Sequence, residues 1–353
     1  MDDKDSSQEV PLPIKVIGIV FNLKKPTKSD EPDDLYEEYD SQSTIDALAR
    51  EIESFGFETV LLEQDEDLFS KLTTNPPDFV FNIAEGKDIY RGREAQIPSL
   101  LESLGIPYTG SDPVSLAISL DKYLTNVVLN YEGVPVPKMT HFRSRDDLVK
   151  AKELFVSENS TYIVKPRWEG SSKGVFHDSI SKNAEELERN VLRIFERYKQ
   201  PAIAEVFLPG AEITAGVLGN DEETRVIGMM RISERTPSHS GTFLYTLDHK
   251  REWEERILYE GPQVLDAKVR EQAASTALKA FRALELRDVA RIDMRMDESG
   301  CLRVIDINPL PGLSPHYSDL PILYSLSGGN YHDLIFGILR SAFKRYGIHW
   351  VEG

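Results

Sequence analysis

Val289-Ala-Arg-Ile-Asp-Met-Arg-Met296, followed after the turn Glu298-Ser-Gly300 by Arg303-Val-Ile-Asp-Ile-Asn-Pro-Leu-Pro-Gly-Leu-Ser314, decides how the rest of the chain is read. Two apolar runs joined by a glycine turn are neighbouring strands. Strand side chains alternate, so Asp306 and Asn308 share a face of the second strand, and Asp293 offers a third oxygen ligand from the first. Hard oxygen donors of this kind suit Mg²⁺, with Mn²⁺ as a substitute, bound through few protein groups and completed by phosphates. A single carboxylate at a strand end would mean little; the trio means more.

Upstream, Ile163-Val-Lys-Pro-Arg-Trp-Glu-Gly-Ser-Ser-Lys-Gly-Val175 carries a lysine out of a strand and into a small-residue loop. Gly170, Ser171, Ser172 and Gly174 let backbone N–H groups approach an anion, and Lys165 and Lys173 add positive charge. The glycine spacing is neither the Walker pattern nor a dinucleotide fingerprint. Phosphate chemistry on one segment and divalent-cation chemistry on another support each other.

The remaining chain supplies a scaffold for both. Val16 to Phe21 reads as a strand, and Ile45, Leu48, Ala49, Ile52 and Phe55 recur at helical spacing before Gly56. Thr59 to Leu62 and Asp78 to Asn82 read as further strands, which predicts an open parallel sheet with helices on its faces and a ligand at the strand ends. Lys24 to Tyr39 is a charged loop, read as a solvated lid or insertion in preference to a substrate-gripping loop. One helix is expected from Pro113 to Tyr131. After Val136-Pro137 a second alternation begins: strand Tyr162 to Lys165, helix Ala184 to Tyr198, strand Ile203 to Phe207. Then come strands Glu212 to Leu218 and Val226 to Ile232, a helix from Ala267 to Leu284, the two strands quoted above, and a helix from Tyr331 to Arg345.

With 353 residues, 40% of them hydrophobic, the chain can bury the cores of two or three domains. No run approaches the roughly 18 apolar residues of a membrane span, and the acidic start Met1 to Val10 lacks the pattern of a signal peptide, so a cytoplasmic location is expected. The single Cys301 excludes an internal disulfide framework and is a poor zinc ligand. A net charge of -18 argues against nucleic acid as a partner and requires that cations be concentrated wherever a nucleotide binds.

Six blocks in order resemble the D-alanine:D-alanine ligase family of ATP-grasp enzymes: Leu104 to Ser111, Ser119 to Lys122, Val164 to Pro166 with Gly170 to Ser172, Glu205 to Glu212, Arg291 to Asp293, and Asp306 to Gly312. The resemblance implies an α/β chain with an ATP-grasp fold preceded by a Rossmann-like parallel-sheet domain. Its divisions would be a flexible tail (1–12), a substrate-side domain (13–112), a central lid (113–204) and a C-terminal domain with the metal and catalytic residues (205–353). It implies ATP and Mg²⁺, small amino-acid-like substrates, an acyl-phosphate intermediate and an amide product, and it leaves open a homodimer. Lys122 and Lys165 would meet ATP phosphates, Glu205, Phe207 and Leu208 the adenine, and Glu212 the ribose. Ser171 and Ser172 would close over the phosphates. Arg291 and the Gly312 N–H would stabilise the acyl-phosphate and tetrahedral species, and Asp293, Asp306 and Asn308 would hold the metal.

The substrate end departs from the family pattern. Asn22-Leu-Lys-Lys-Pro26 replaces the glycine-rich turn, and Asn82-Ile-Ala-Glu-Gly86 replaces a His-Gly pair, which offers Glu85 to an amine. Lys250 matches the mobile-loop lysine, whereas Arg251 stands where a tyrosine is usual and could grip a carboxylate. Asp306 replaces a glutamate. Tyr317 and Ser318 follow the Pro-Gly motif, with Ser318 the candidate contact to the second substrate's carboxylate. Ligation of other small acids, a non-catalytic ATP-binding module, and another ATP-grasp activity remain competing readings.

Overall fold

The computed structural model describes residues 14–28, 32–158, 160–236 and 243–350; the expected tail at 1–12 lies outside the described residues. In chain order the helices and strands are β1 (Val16–Phe21), α1 (Gln42–Ser54), β2 (Glu58–Glu63), α2 (Leu68–Thr74), β3 (Phe79–Asn82), α3 (Gln96–Leu104), α4 (Pro113–Leu120) and α5 (Lys122–Tyr131). There follow β4 (Met139–Phe142), α6 (Val149–Glu158), β5 (Tyr162–Pro166), β6 (Ile180–Ser181), α7 (Ala184–Tyr198), β7 (Ala202–Val206), β8 (Glu212–Leu218) and β9 (Arg225–Glu234). The chain continues with α8 (Leu247–Arg251), α9 (Trp253–Arg256), β10 (Ile257–Glu260), α10 (Ala267–Ala283), β11 (Val289–Met296), β12 (Leu302–Asn308), α11 (Asp319–Leu326) and α12 (Tyr331–Arg345).

These strands make three sheets. The first is parallel, in the order β2-β1-β3, with Tyr108 bridging to Val80 beyond β3. The second, β4-β7-β5-β6, and the third, β10-β9-β8-β11-β12, are antiparallel. Residues of β1 and β3 share one apolar core with α1, α12 and β8–β10, so the last helix closes over the first sheet. A second core lies between the largest sheet and α10. The four-stranded sheet has its own core, with Leu187, Val191 and Ile194 of α7 packed on Tyr162, Val164, Ala202 and Ala204.

Three expectations need correction. The helix expected at Pro113 to Tyr131 is two helices, broken at Asp121, which leaves helical geometry (φ -86°, ψ 92°) and caps α5 by accepting from the Leu124 N–H at 3.1 Å. Leu129, Val134 and Val136 belong to the core under the largest sheet, so the stretch assigned to the start of the lid packs with the C-terminal sheet. The proposed boundary at 204/205 falls inside β7, and strand continuity moves it past Val206.

Candidate active site

Strand register assembles the centre of the site. Arg291 pairs with Asn308 and Asp293 with Asp306 across β11 and β12, so these four side chains occupy one face. The other face carries Ile292, Met294, Val304 and Ile307 into the core. The register slips after Asp293, where Met294 pairs with Val304, and the extra residue, Ile305, lines the cleft between the two antiparallel sheets.

Asp293 is held on every side. Arg291 donates to both its oxygens at 3.0 and 2.9 Å, Thr214 at 2.9 Å and Asn308 Nδ2 at 3.0 Å. Against the burial that would raise it, Arg291 and these donors keep the carboxyl below its ordinary range. Asp306 accepts from Lys122 Nζ at 2.5 Å, which raises the buried lysine despite desolvation. Among the described residues no three His, Cys, Asp or Glu side chains form a closed metal cage. The donor set is two facing carboxylates and the Asn308 Oδ1, which accepts no hydrogen bond among those residues. Such a set fits Mg²⁺ that takes its other ligands from phosphate and water.

Two cavities meet at this face. One lies between the antiparallel sheets and has apolar walls from Ile163, Val175, Phe207, Leu208, Ile232 and Ile305. Lys165 reaches Glu205 at 2.7 Å along its floor, and Glu212 takes Arg295 at 3.1 Å. Burial pushes Glu212 up to about 7, with Arg295 opposing. The other cavity opens toward the parallel sheet and is lined by Glu85, Gly312, Tyr317 and Ser318. Lys122, Lys250, Arg291 and Asp306 line both. Lys250 sits over the Tyr245 ring, 5.3 Å from its centroid, and desolvation lowers its pKa from the ordinary lysine value.

The small-residue loop is tied down from outside. Gly170 N–H donates to Glu38 at 2.6 Å and Gly174 N–H to Asp34 at 3.2 Å, whereas the N–H groups of Ser171 and Ser172 have no partner among the described residues. Ser171 and Ser172 both adopt left-handed backbone (φ 49° and 60°), a conformation that costs energy unless its surroundings enforce it. Ser172 Oγ anchors to the Tyr245 carbonyl at 3.1 Å. A Cβ on Gly312 would meet Ser318 Oγ at 2.7 Å, so only glycine leaves that backbone open to a ligand.

The enforcing element is the stretch read as a solvated lid. Asp34 is 1% exposed, and Glu38 is buried between Arg93 (2.9 Å) and Lys173 (3.1 Å). Those cations and the Gly170 N–H outweigh burial and lower Glu38 to about 2. Lys173 is shared between Glu38 and Glu169. Arg251 is not among the residues lining either cavity and clasps Asp33 (3.3 Å) and Glu37 (3.0 Å), the latter at the edge of the substrate-side cavity. Tyr317 does line the substrate-side cavity, but its hydroxyl meets Thr44 at 3.1 Å, and Ser318 Oγ accepts from the Ser314 N–H at 3.0 Å. The acids of the strap were read only as a solvated loop, and Arg93 and Arg295 were given no role, because their partners lie far off in the chain.

A parallel-sheet domain beside two antiparallel sheets that enclose a cation-lined cleft is the ATP-grasp architecture, and ligases are the class of enzyme it defines here. The family model for the D-alanine–D-alanine ligase C-terminus matches residues 128–340, and the chain belongs to that family. It is similar to the uncharacterized protein y4sG of Sinorhizobium fredii, with 32% identity covering 85% of this chain and 88% of the relative. A D-alanine–D-alanine ligase of Desulforudis audaxviator is 29% identical, covering 85% and 92%. Among solved structures, the Bacillus anthracis D-alanine–D-alanine ligase complexed with ATP superposes with a TM-score of 0.68 at 23% identity, covering 94% and 99%. The VanG D-Ala:D-Ser ligase of Enterococcus faecalis gives 0.70 at 21% identity, covering 93% and 99%; both establish the shared fold.

Proposed function

We propose that the protein uses ATP to join the carboxylate of one small amino-acid-like substrate to the amine of another, by way of an acyl phosphate. The observation that carries this is the junction of the two cavities at Lys122, Lys250, Arg291 and Asp306. A nucleotide in the apolar slot would deliver its γ-phosphate to the same cations that a carboxylate in the second cavity would meet.

Phe207 and Leu208 would pack on the base, and Glu212 would accept from the ribose. Lys122, Lys165 and Lys250, with the free N–H groups of Ser171 and Ser172, would draw charge off the phosphates, which is most of what phosphoryl transfer asks of a protein. Asp293, Asp306 and Asn308 would hold Mg²⁺, which when bound neutralises phosphate charge. A carboxylate oxygen of the first substrate attacks the γ-phosphorus and ADP departs. The amine nitrogen of the second substrate then attacks the acyl carbon, loses a proton, and expels phosphate as the amide forms. Arg291 and the Gly312 N–H stabilise the oxyanion of that step. The loop and its acidic strap keep water from the acyl phosphate.

The test is phosphate release and product mass with ATP, Mg²⁺ and paired amino acids including D-alanine, beside Arg291→Ala. Release that depends on an acid–amine pair and vanishes in the variant supports the ligase; ATP binding with no release across the panel favours a non-catalytic module.

A further inference from the structure

Asn82 is the last residue of β3, at the carboxyl end of the parallel sheet, where open α/β sheets bind their ligands. It is 4% exposed, and its backbone N–H donates to Thr109 Oγ1 at 3.0 Å. Its side-chain Oδ1 accepts from the Ala84 N–H at 3.2 Å, which fixes the orientation of the amide. Nδ2 is then buried with no acceptor among the described residues. Asn22, just beyond the end of β1 and equally buried, provides the contrast. Its Nδ2 donates to Gln64 at 3.0 Å and its Oδ1 accepts from the Gly86 N–H at 3.0 Å. Buried polar atoms are normally paired, so the free donor sets Asn82 apart from its neighbour on the same sheet.

Asn82 lines a niche of about 30 Å³ whose walls are otherwise largely apolar, with Phe81, Ile83 and Leu313 among them. The niche shares Asp40, Glu85, Leu310 and Gly312 with the substrate-side cavity and is a side lobe of it, whereas Glu94 lines the larger cavity alone. Its size admits about one or two heavy atoms. The polar groups decide which atoms those are. A methyl leaves the Asn82 donor unpaired, and so does an ammonium, which only donates. A carbonyl oxygen accepts from Asn82 but offers no hydrogen to Asp40 or Glu85, whose side chains have no hydrogen-bond partner among the described residues. A hydroxyl does both, accepting from Nδ2 and donating to a carboxyl oxygen.

Building on the ligase reading, we propose that Asn82 determines substrate specificity by recognising a side-chain hydroxyl, so that the acid activated by ATP is a β-hydroxy amino acid the size of serine or threonine. Gly312, whose N–H is assigned above to the acyl oxyanion, lines the niche as well, which brings Asn82 within reach of a short side chain on that same substrate. A hydroxyl there completes the hydrogen bonding of the buried amide, and a plain methyl side chain leaves it incomplete.

Calorimetric titration of the full-length protein, with Mg²⁺ and a non-hydrolysable ATP analogue present, tests this with isosteric pairs: serine against 2-aminobutyrate and threonine against valine, in both enantiomers. At least one hydroxy acid is expected to bind about 10-fold or more tightly than its methyl isostere, since the isostere leaves a buried donor unpaired. Asn82→Asp keeps the shape and the acceptor for the Ala84 N–H but removes the donor, and should erase most of that ratio. Glu94→Gln, in the cavity but outside the niche, should preserve it. Should the Asn82 variant misfold, the wild-type pairs decide alone. Equal affinities within both pairs, as a niche holding only a water would give, overturn the proposal. So does no binding of either hydroxy acid, a preference that survives Asn82→Asp, or one that Glu94→Gln removes as fully. Phosphate release with ATP, run in parallel, separates the two readings. Turnover of acid–amine pairs without a hydroxyl preference counts against the Asn82 subsite alone, and a hydroxyl preference in binding with no turnover counts against the ligase alone.

Discussion

Asp306 stands where its family usually places a glutamate, and it already holds Lys122 at 2.5 Å. Asp306→Asn would remove the charge of an oxygen proposed to hold Mg²⁺ and leave a buried lysine without its carboxylate partner. Phosphate release should fall about 10–100-fold, with a rise in the Mg²⁺ concentration needed, as loss of a metal-site group commonly produces; titrating Mg²⁺ against rate checks both. Glu94 makes a prediction of the opposite kind. Its folded pKa, at about 8, lies above that of an unfolded glutamate, so the stability it contributes is full below the unfolded value and is lost as pH rises through 8. Thermal melts from pH 5 to 8.5 should therefore fall less steeply for Glu94→Gln, with the variant ahead at pH 8.5 by on the order of 1–3 kcal/mol. The common face of Asp293, Asp306 and Asn308 was legible in the sequence because strand alternation has a two-residue period, whereas Arg291 was named only through the family resemblance. The ion pairs of Lys173 with Glu38 and of Arg251 with Asp33 were not legible, because they span 135 and 218 residues and no local pattern announces them.

At the scale of elements, the strap from Asp33 to Glu38 acts on the Gly170–Gly174 loop as a brace. Glu38→Gln leaves Arg93 and Lys173 with a weaker partner and should destabilise the fold by on the order of 3 kcal/mol. Hydrogen exchange should quicken at the Gly170 and Gly174 amides, which the strap holds, more than at the Leu187 to Ile194 core of α7. Equal acceleration everywhere would mean that the strap supports the whole domain and not the loop. Strand and helix positions in the three sheets were largely visible as apolar periodicity. The break between α4 and α5 was not, because Leu116, Leu120, Leu124 and Val128 recur every four residues across it, and only the tertiary partners of Asp121 reveal why the chain turns there. Arg167 reaches both its oxygens at 2.7 and 2.8 Å and Arg91 adds a third contact at 2.7 Å, so the residue is an inter-element anchor as much as a cap.

Across the whole molecule, the four-stranded sheet has a core distinct from the two that join the other sheets. Calorimetry without nucleotide should show this sheet melting first. ATP with Mg²⁺ at about 100 times its dissociation constant should merge the transitions and add about 2.7 kcal/mol, since a ligand that bridges two sheets stabilises only their joined state. A single unchanged transition would show that the strap alone couples them. The closure of the first sheet by the last helix carries a different consequence. Phe79 of β3 packs edge-on against Phe343 of α12 at 4.8 Å, and Ile17 and Ile338 share their core. Synthesis runs from the N-terminus, so β1 to β3 leave the ribosome long before the helix that covers them is made. Until α12 is made, the apolar face of β1 and β3 that it covers has no partner from that helix, and apolar surface exposed in this way makes an incomplete chain prone to aggregation.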